Sequence, residues 1–161
     1  ILLCKEEGTQ ILSEFVTEPG GSVGGIGDAI VTTAFGGKWA IFGYNLKDNV
    51  VSFEKRNQIL RSADAICGGK LPALLDAPYR VMVIPIVDKA GKTVSVSLLN
   101  CSIADTEPLP LTVRNPAVEV FTYMDAKGEQ NLTAERKEND FCLLAPPLRA
   151  WQIATVFCDK A

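Results

Sequence analysis

Histidine is absent from this chain of 161 residues. Its absence removes the side chain that titrates nearest neutrality, and with it the usual general base and the commonest zinc ligand. Neither a Ser-His-Asp nor a Cys-His nucleophile system can be built from these residues alone. Charge of one sign is also missing: 16 basic and 19 acidic residues leave a net charge of −3. The densest basic stretch, EKRNQILR, carries Lys55, Arg56 and Arg61 beside Glu54 and reads as the wet face of a helix. Phosphate backbones are held by clustered positive charge, so nucleic acid is not an expected partner. No apolar run reaches the roughly 18–20 residues of a membrane-spanning helix, and no membrane partner is expected. The chain opens at Ile1, without methionine or a leader pattern, and is expected to be a piece of something longer. No compartment is written in it.

Cysteine is present but unpatterned. Cys4, Cys67, Cys101, Cys142 and Cys158 contain no C-x-x-C pair, so neither a zinc site nor a dithiol motif is expected, and no metal or other cofactor. The odd count argues against a full disulfide framework. Apolar flanks suggest buried thiols acting as small hydrophobes.

Glycine is concentrated in GGSVGGIGDAIV at 20–31, with five glycines in the first eight residues. A dinucleotide fingerprint needs G-x-G-x-x-G; here Gly25-Ile26-Gly27 is followed by Asp28, Ala29 and Ile30, without the third glycine. A phosphate-binding P-loop needs lysine followed by serine or threonine, whereas Trp39 follows Gly37-Lys38. Phosphate loops open helices, and the DAIVTTAF that follows is β-branched. The stretch is therefore expected to be a flexible surface loop.

Next, AIVTTAF and KWAIFGY flank Gly36-Gly37. A two-residue Gly-Gly turn would join them as an antiparallel hairpin, and their near-continuous apolar character suggests burial on both faces. One helix follows. Ser52 is a suitable N-cap with Glu54 in the first turn, and Phe53, Ile59, Leu60, Ala63, Ile66 and Cys67 recur at helical spacing to form an apolar face. Gly68-Gly69 stops it and Pro72 prevents a restart.

After Pro78 the pattern becomes short β-rich runs, from YRVMVIPIV to WQIATVF, separated by turn segments such as DKAG and DAKGEQ. Val94, Val96 and Leu98 alternate with Thr93, Ser95 and Ser97, which predicts a dry face and a wet one. The expected fold is mainly β with one principal helix: a small α/β part at 1–72, then an antiparallel β-sandwich at 76–161.

The order of GGKWAIFGYNL, a helix ending in GG, RVMVIPIVDKAGKTVSVSLLNCS with Asn100, PLPLTV and a closing strand after LLAPPLRAWQIATV resembles the C-terminal region of β-galactosidase-like glycoside hydrolases. The resemblance covers roughly 29–157. It implies the end of an amidotransferase-like α/β domain followed by a terminal β-sandwich. The barrel that carries the catalytic carboxylates in such enzymes has no counterpart here, so no catalytic residue is carried over.

Glycoside hydrolysis needs two carboxylates facing each other across roughly 5–9.5 Å. Asp88, Asp105, Asp125 and Asp140 lie instead in turn-like stretches, where carboxylates cap backbone, and Glu135 and Glu138 flank Arg136 and Lys137 in a charge run. Sugars pack on exposed aromatic faces. Tyr44, beside Asn45 at a strand end, and Tyr123, near Asp125, are the candidate sugar-binding residues, whereas Trp39 and Trp151 fall inside strand patterns and are expected in the core. The expected function is a non-catalytic accessory or scaffolding region of a carbohydrate-active, bacterial enzyme. Its expected partners are the catalytic domain of the same polypeptide or a neighbouring subunit, and carbohydrate. A carbohydrate-binding β-sandwich module and an autonomous glycoside hydrolase are the alternatives. The scaffolding reading predicts a large exposed apolar patch.

Overall fold

A computed structural model describes residues 7–44 and 52–158; Cys4 and Asn45 lie outside them. The chain divides into two compact units, Ile1–Lys70 and Leu71–Ala161.

In the first unit, β1 (Thr9–Val16), β2 (Val23–Thr32) and β3 (Lys38–Phe42) form an antiparallel sheet in the order β1-β2-β3. The glycine-rich stretch is mostly strand rather than loop, because Gly24, Gly25 and Gly27 belong to β2. The central position explains this. Ala29 pairs with Ile11 on one side and Ile41 on the other, so ladders on both edges satisfy its backbone despite the entropic cost of glycine. The expected pairing of β2 with β3 forms, but not through a Gly-Gly turn. The connection is the five-residue loop 33–37, closed by the Thr33 N–H on the Gly37 carbonyl at 2.7 Å, and of its two glycines only Gly36 is left-handed, at φ 80°. Within the run 29–35, Phe35 is fully exposed and burial on both faces holds only for Ala29 and Ile30. It fails for β3, an edge strand, where Trp39 is 66% exposed rather than in the core.

Helix α1 (Phe53–Ile66) begins where the Ser52 side chain accepts the Lys55 N–H at 3.2 Å. It ends at left-handed Gly68 and Gly69, φ 66° and 73°. The helix is rotated from the expected apolar face: Ser62 is its buried residue and Leu60 is exposed. Of the described cysteines, only Cys158 is buried; Cys67, the helix C-cap, is exposed.

The second unit is an antiparallel β-sandwich. Its strands are β4 (Ala73–Leu75), β5 (Val81–Val87), β6 (Thr93–Asn100), β7 (Leu109–Arg114), β8 (Phe121–Asp125), β9 (Gly128–Leu132), β10 (Ala134–Lys137), β11 (Asp140–Ala145) and β12 (Ile153–Phe157). One sheet has the order β10-β11-β7-β4, the other β5-β6-β12-β8-β9. Alternate residues of both enter one core, including Val96 and Leu98 of β6, Val156 of β12, Leu111 and Val113 of β7 and Leu143 of β11. Fully burying each such side chain stabilises by about 1.5–3 kcal/mol before entropy is subtracted. The turn aspartates cap backbone: Asp88 accepts the N–H groups of Ala90 and Lys92, Asp105 that of Ala150 and Asp125 that of Lys127.

Candidate functional site

The first unit holds a cleft of about 610 Å³ built around one carboxylate. Asp28 sits mid-β2 and is 1% exposed. The β1 register shifts around Ser13, which places Ser13 opposite Asp28. On α1, Gln58 and Ser62 lie one turn apart and face the same strand. Ser13 Oγ donates to Asp28 Oδ1. Gln58 Nε2 donates to that oxygen and to Ser13 Oγ, both at 2.7 Å. Ser62 Oγ donates to Oδ2 at 2.8 Å. A buried charge is costly unless hydrogen-bonded, and here the donors that meet it come from two elements and tie the helix to the sheet. Glycines allow the close approach. A Cβ on Gly27 would stand 2.5 Å from Ser13 Oγ, and one on Gly43 would stand 2.5 Å from the Ile26 carbonyl.

Tyr44 lines the same cleft. Its ring meets Phe15 and Phe42 edge-on, at centroid distances of 6.0 and 5.6 Å, and Lys55 Nζ lies 4.2 Å from its centroid. Its hydroxyl is shut off from solvent and has no hydrogen-bond partner among the described residues. Burial, and secondarily the charge of Asp28, push its pKa above the ordinary tyrosine value. Glu14, Glu54 and Arg61 complete the polar lining. Both oxygens of the one buried carboxylate among the described residues already accept donors. No group of three cysteine, aspartate or glutamate side chains among the described residues is placed to hold a metal ion.

Tyr123, the second candidate, does not join this site. It belongs to the other unit and is 2% exposed in the sandwich core. Strand alternation decides its side, sending Phe121 and Tyr123 inward and leaving Met124 on the other face. A buried ring offers no platform to a sugar, so the expectation for Tyr123 is corrected. Ser13, Asp28, Gln58 and Ser62 escaped the sequence reading. The available signals were an acid inside an apolar strand run and two small polar residues four apart on a helix.

A second feature is the outer face of the five-stranded sheet. Met82, Ile84 and Ile86 alternate along edge strand β5 and are 52%, 41% and 54% exposed. Met82 pairs with Leu99, which pairs in turn with the exposed Ile153. The face expected to be wet is therefore mixed: apolar along β5 and at Leu99 and Ile153, polar at Ser95, Ser97 and Thr155. Its serines are tucked in, Ser95 being buried and Ser97 bonded to Thr155 at 2.9 Å.

At the end of this face the turn 149–152 presents Trp151, 64% exposed and left-handed at φ 60°, against the expectation that it is core. The third position of such a turn favours glycine or asparagine. Tryptophan is held there by the Gln152 N–H on the Arg149 carbonyl, the Arg149 N–H on Gln152 Oε1 and the Ala150 N–H on Asp105. Beneath it Asn100, fully buried, donates to the carbonyls of Ala104, Leu148 and Arg149.

No protein-family model and no curated protein matches the chain in sequence. Among solved structures, its fold is similar to part of alpha-L-fucosidase isoenzyme 2 from Paenibacillus thiaminolyticus, with a TM-score of 0.53 and 14% identity. The match covers 86% of this chain and 23% of that one. The likeness is one of fold, to a portion of a glycoside hydrolase.

Proposed function

We propose that this chain is a non-catalytic accessory and scaffolding region of a carbohydrate-active enzyme, which packs on the catalytic domain of the same polypeptide or of a neighbouring subunit. The exposed apolar side chains along β5 and at Ile153, on the outer face of the five-stranded sheet, carry this reading. Free-standing soluble proteins rarely leave a contiguous apolar patch of more than a few hundred Å² in water, and here Met82, Ile84 and Ile86 of β5 lie on the same side as Ile153 of β12, with Leu99 of the intervening β6 between Met82 and Ile153. Trp151 at its margin supplies the kind of large, rigid ring that dominates interface energies. A backbone in the left-handed region costs roughly 1–2 kcal/mol for an ordinary residue, a cost the fold bears while leaving the ring exposed. The fold shared with a 23% portion of an alpha-L-fucosidase supports the enzyme class.

The test is thiol labelling at Ile84→Cys, read by mass spectrometry of the β5 peptide. The thiol is expected to react freely in the isolated chain and to be protected in the polypeptide or assembly that contains the catalytic domain. Equal labelling in both would overturn the docking role. Turnover of aryl α-L-fucosides or β-D-galactosides by the purified chain alone would overturn the non-catalytic one.

A further inference from the structure

Charge is missing from the outer face of the five-stranded sheet across four of its strands. Residues paired across neighbouring strands point to the same side. Ile84 of β5 pairs with Ser97, Ser97 with Thr155 and Thr155 with Met124 of β8. The rows on either side, which start at Met82 and Ile86, are equally free of charge. The first charged side chain on this face is Glu129, opposite Met124 on edge strand β9. The outer face of the other sheet, by contrast, carries Lys137, Asp140 and Arg114 in one row. We infer that β5, β6, β12 and β8 form one face-on docking surface, and that its occupant is an uncharged surface of the catalytic domain in the same polypeptide rather than in a neighbouring subunit. The inference rests on the docking role above; it adds the extent of the contact, the chemistry of the partner and the need for a tether.

Three observations carry it. First, covering this face strips water from few polar groups. The Ser97 and Thr155 hydroxyls bond each other at 2.9 Å, and Ser95 and Thr122 are already buried. An apolar partner therefore costs them little, whereas a charged one would find no counter-charge. Second, the free edge of β5 is unsuited to an added strand. The Cys101 N–H donates to the Arg80 carbonyl at 2.8 Å. That bond turns the backbone of Arg80, Met82 and Ile84 toward β6 and that of Val81, Val83 and Pro85 outward. Proline has no N–H, so at an outward position it interrupts the donors that an incoming strand needs. The partner meets side chains instead. Third, the contact is small. Four strands about 4.8 Å apart and three rows about 6.8 Å apart cover about 400 Å². The two partners together bury about 800 Å², inside the range of about 600–1,500 Å² for domains of one chain. That is below the roughly 1,200–2,000 Å² of complexes that hold together unaided. A contact of this size is sustained by the effective concentration that a linker supplies.

The test introduces Ile84→Cys, Met124→Cys and Glu129→Cys one at a time. Thiol labelling is followed by peptide mass spectrometry in the isolated chain and in the polypeptide that contains the catalytic domain. In that polypeptide, labelling at Ile84→Cys and Met124→Cys is expected to slow by roughly tenfold or more, and labelling at Glu129→Cys by less than about twofold. The protection is expected to persist through about hundredfold dilution, because a tethered contact does not depend on protein concentration. Met124→Lys keeps the length of the side chain and adds a charge. It is expected to speed labelling at Ile84→Cys in the full polypeptide by roughly tenfold, while Met124→Leu leaves it unchanged. Equal labelling of Ile84→Cys in the two forms removes the docking role itself. With Ile84→Cys protected, this inference alone fails if Met124→Cys stays reactive or if Glu129→Cys is protected as strongly. It fails equally if dilution releases the protection or if Met124→Lys leaves it intact.

Discussion

Asn100 offers a sharp test of how the second unit is held together. Its side chain is fully buried and fully engaged. The amide nitrogen donates to Ala104 O at 2.8 Å, Arg149 O at 3.0 Å and Leu148 O at 3.4 Å, and the amide oxygen accepts the N–H and hydroxyl of Ser102 at 3.1 and 3.0 Å. Each of the three carbonyls keeps another donor if the amide is lost: Ser102 Oγ on Ala104, the Gln152 N–H on Arg149 and the Thr106 N–H on Leu148. Asn100→Ala therefore orphans few groups. At a net value of about 0.5–0.75 kcal/mol for each of the four bonds of 3.1 Å or less, it is expected to cost about 2–3 kcal/mol. Asn100→Asp preserves shape and leaves no cavity, yet places a carboxylate against three carbonyl oxygens where water cannot reach. An uncompensated buried charge costs about 3–5 kcal/mol, so at neutral pH the isosteric variant is expected to be the worse of the two. With a urea dependence of about 2 kcal/mol per molar, the midpoints fall by about 1 M for Asn100→Ala and about 2 M for Asn100→Asp. The introduced acid is favoured in its protonated form by burial and by the carbonyls. Its folded pKa therefore lies above its unfolded one. Stability is present at low pH and lost as pH rises through the folded value, so the deficit of Asn100→Asp shrinks on acidification. If Asn100→Asp equals or exceeds Asn100→Ala in stability at neutral pH, or if the gap does not change with pH, the reasoning is wrong.

Other perturbations follow from the same structure. Tyr123 Oη is buried without a partner among the described residues, so Tyr123→Phe is expected to raise stability by about 1 kcal/mol in urea unfolding. Burial first, and the charge of Asp125 second, push the Tyr123 pKa above 10.0. The stability tied to this neutral phenol is present below that pH and lost as pH rises through the raised value, and Tyr123→Phe should flatten the alkaline limb of a stability–pH curve. A Cβ at Gly43 meets the backbone carbonyl of Ile26, whereas one at Gly27 meets the end of the Ser13 side chain. Gly43→Ala is expected to cost about 1–3 kcal/mol, more than Gly27→Ala, by thermal unfolding. Trp151→Gly relieves the left-handed backbone and is expected to leave the isolated chain at least as stable, while weakening the protection of β5 in the assembled enzyme.

Much of the architecture was legible in local chemistry. Ser52, Glu54 and Gly68-Gly69 bracket α1 because capping groups and left-handed glycines act over a few residues. Alternation at Val96 and Leu98 marks a core face because successive side chains of a strand point to opposite sides. Asp88 and Asp125 cap backbone as their neighbours suggest, whereas Asp105 accepts from the distant Ala150 and Asp140 opens β11 and pairs with the Arg114 side chain. What could not be read locally was what each surface meets. Trp39 looks like core until β3 proves to be an edge, and Trp151 does until its turn proves to be caged in hydrogen bonds that force the ring outward.

Periodicity, caps and turn residues by themselves determined that this chain is mainly β with one helix, and where that helix begins and ends, because those rules concern neighbours in sequence. Only the tertiary structure decided that Asp28, Ser13, Gln58 and Ser62 share one buried cluster, that Tyr44 borders a cleft while Tyr123 fills a core, and that apolar side chains of β5 stay exposed on the sheet's outer face. Each of those outcomes depends on strand order, register and helix rotation, which bring together residues whose mutual distance no local pattern encodes.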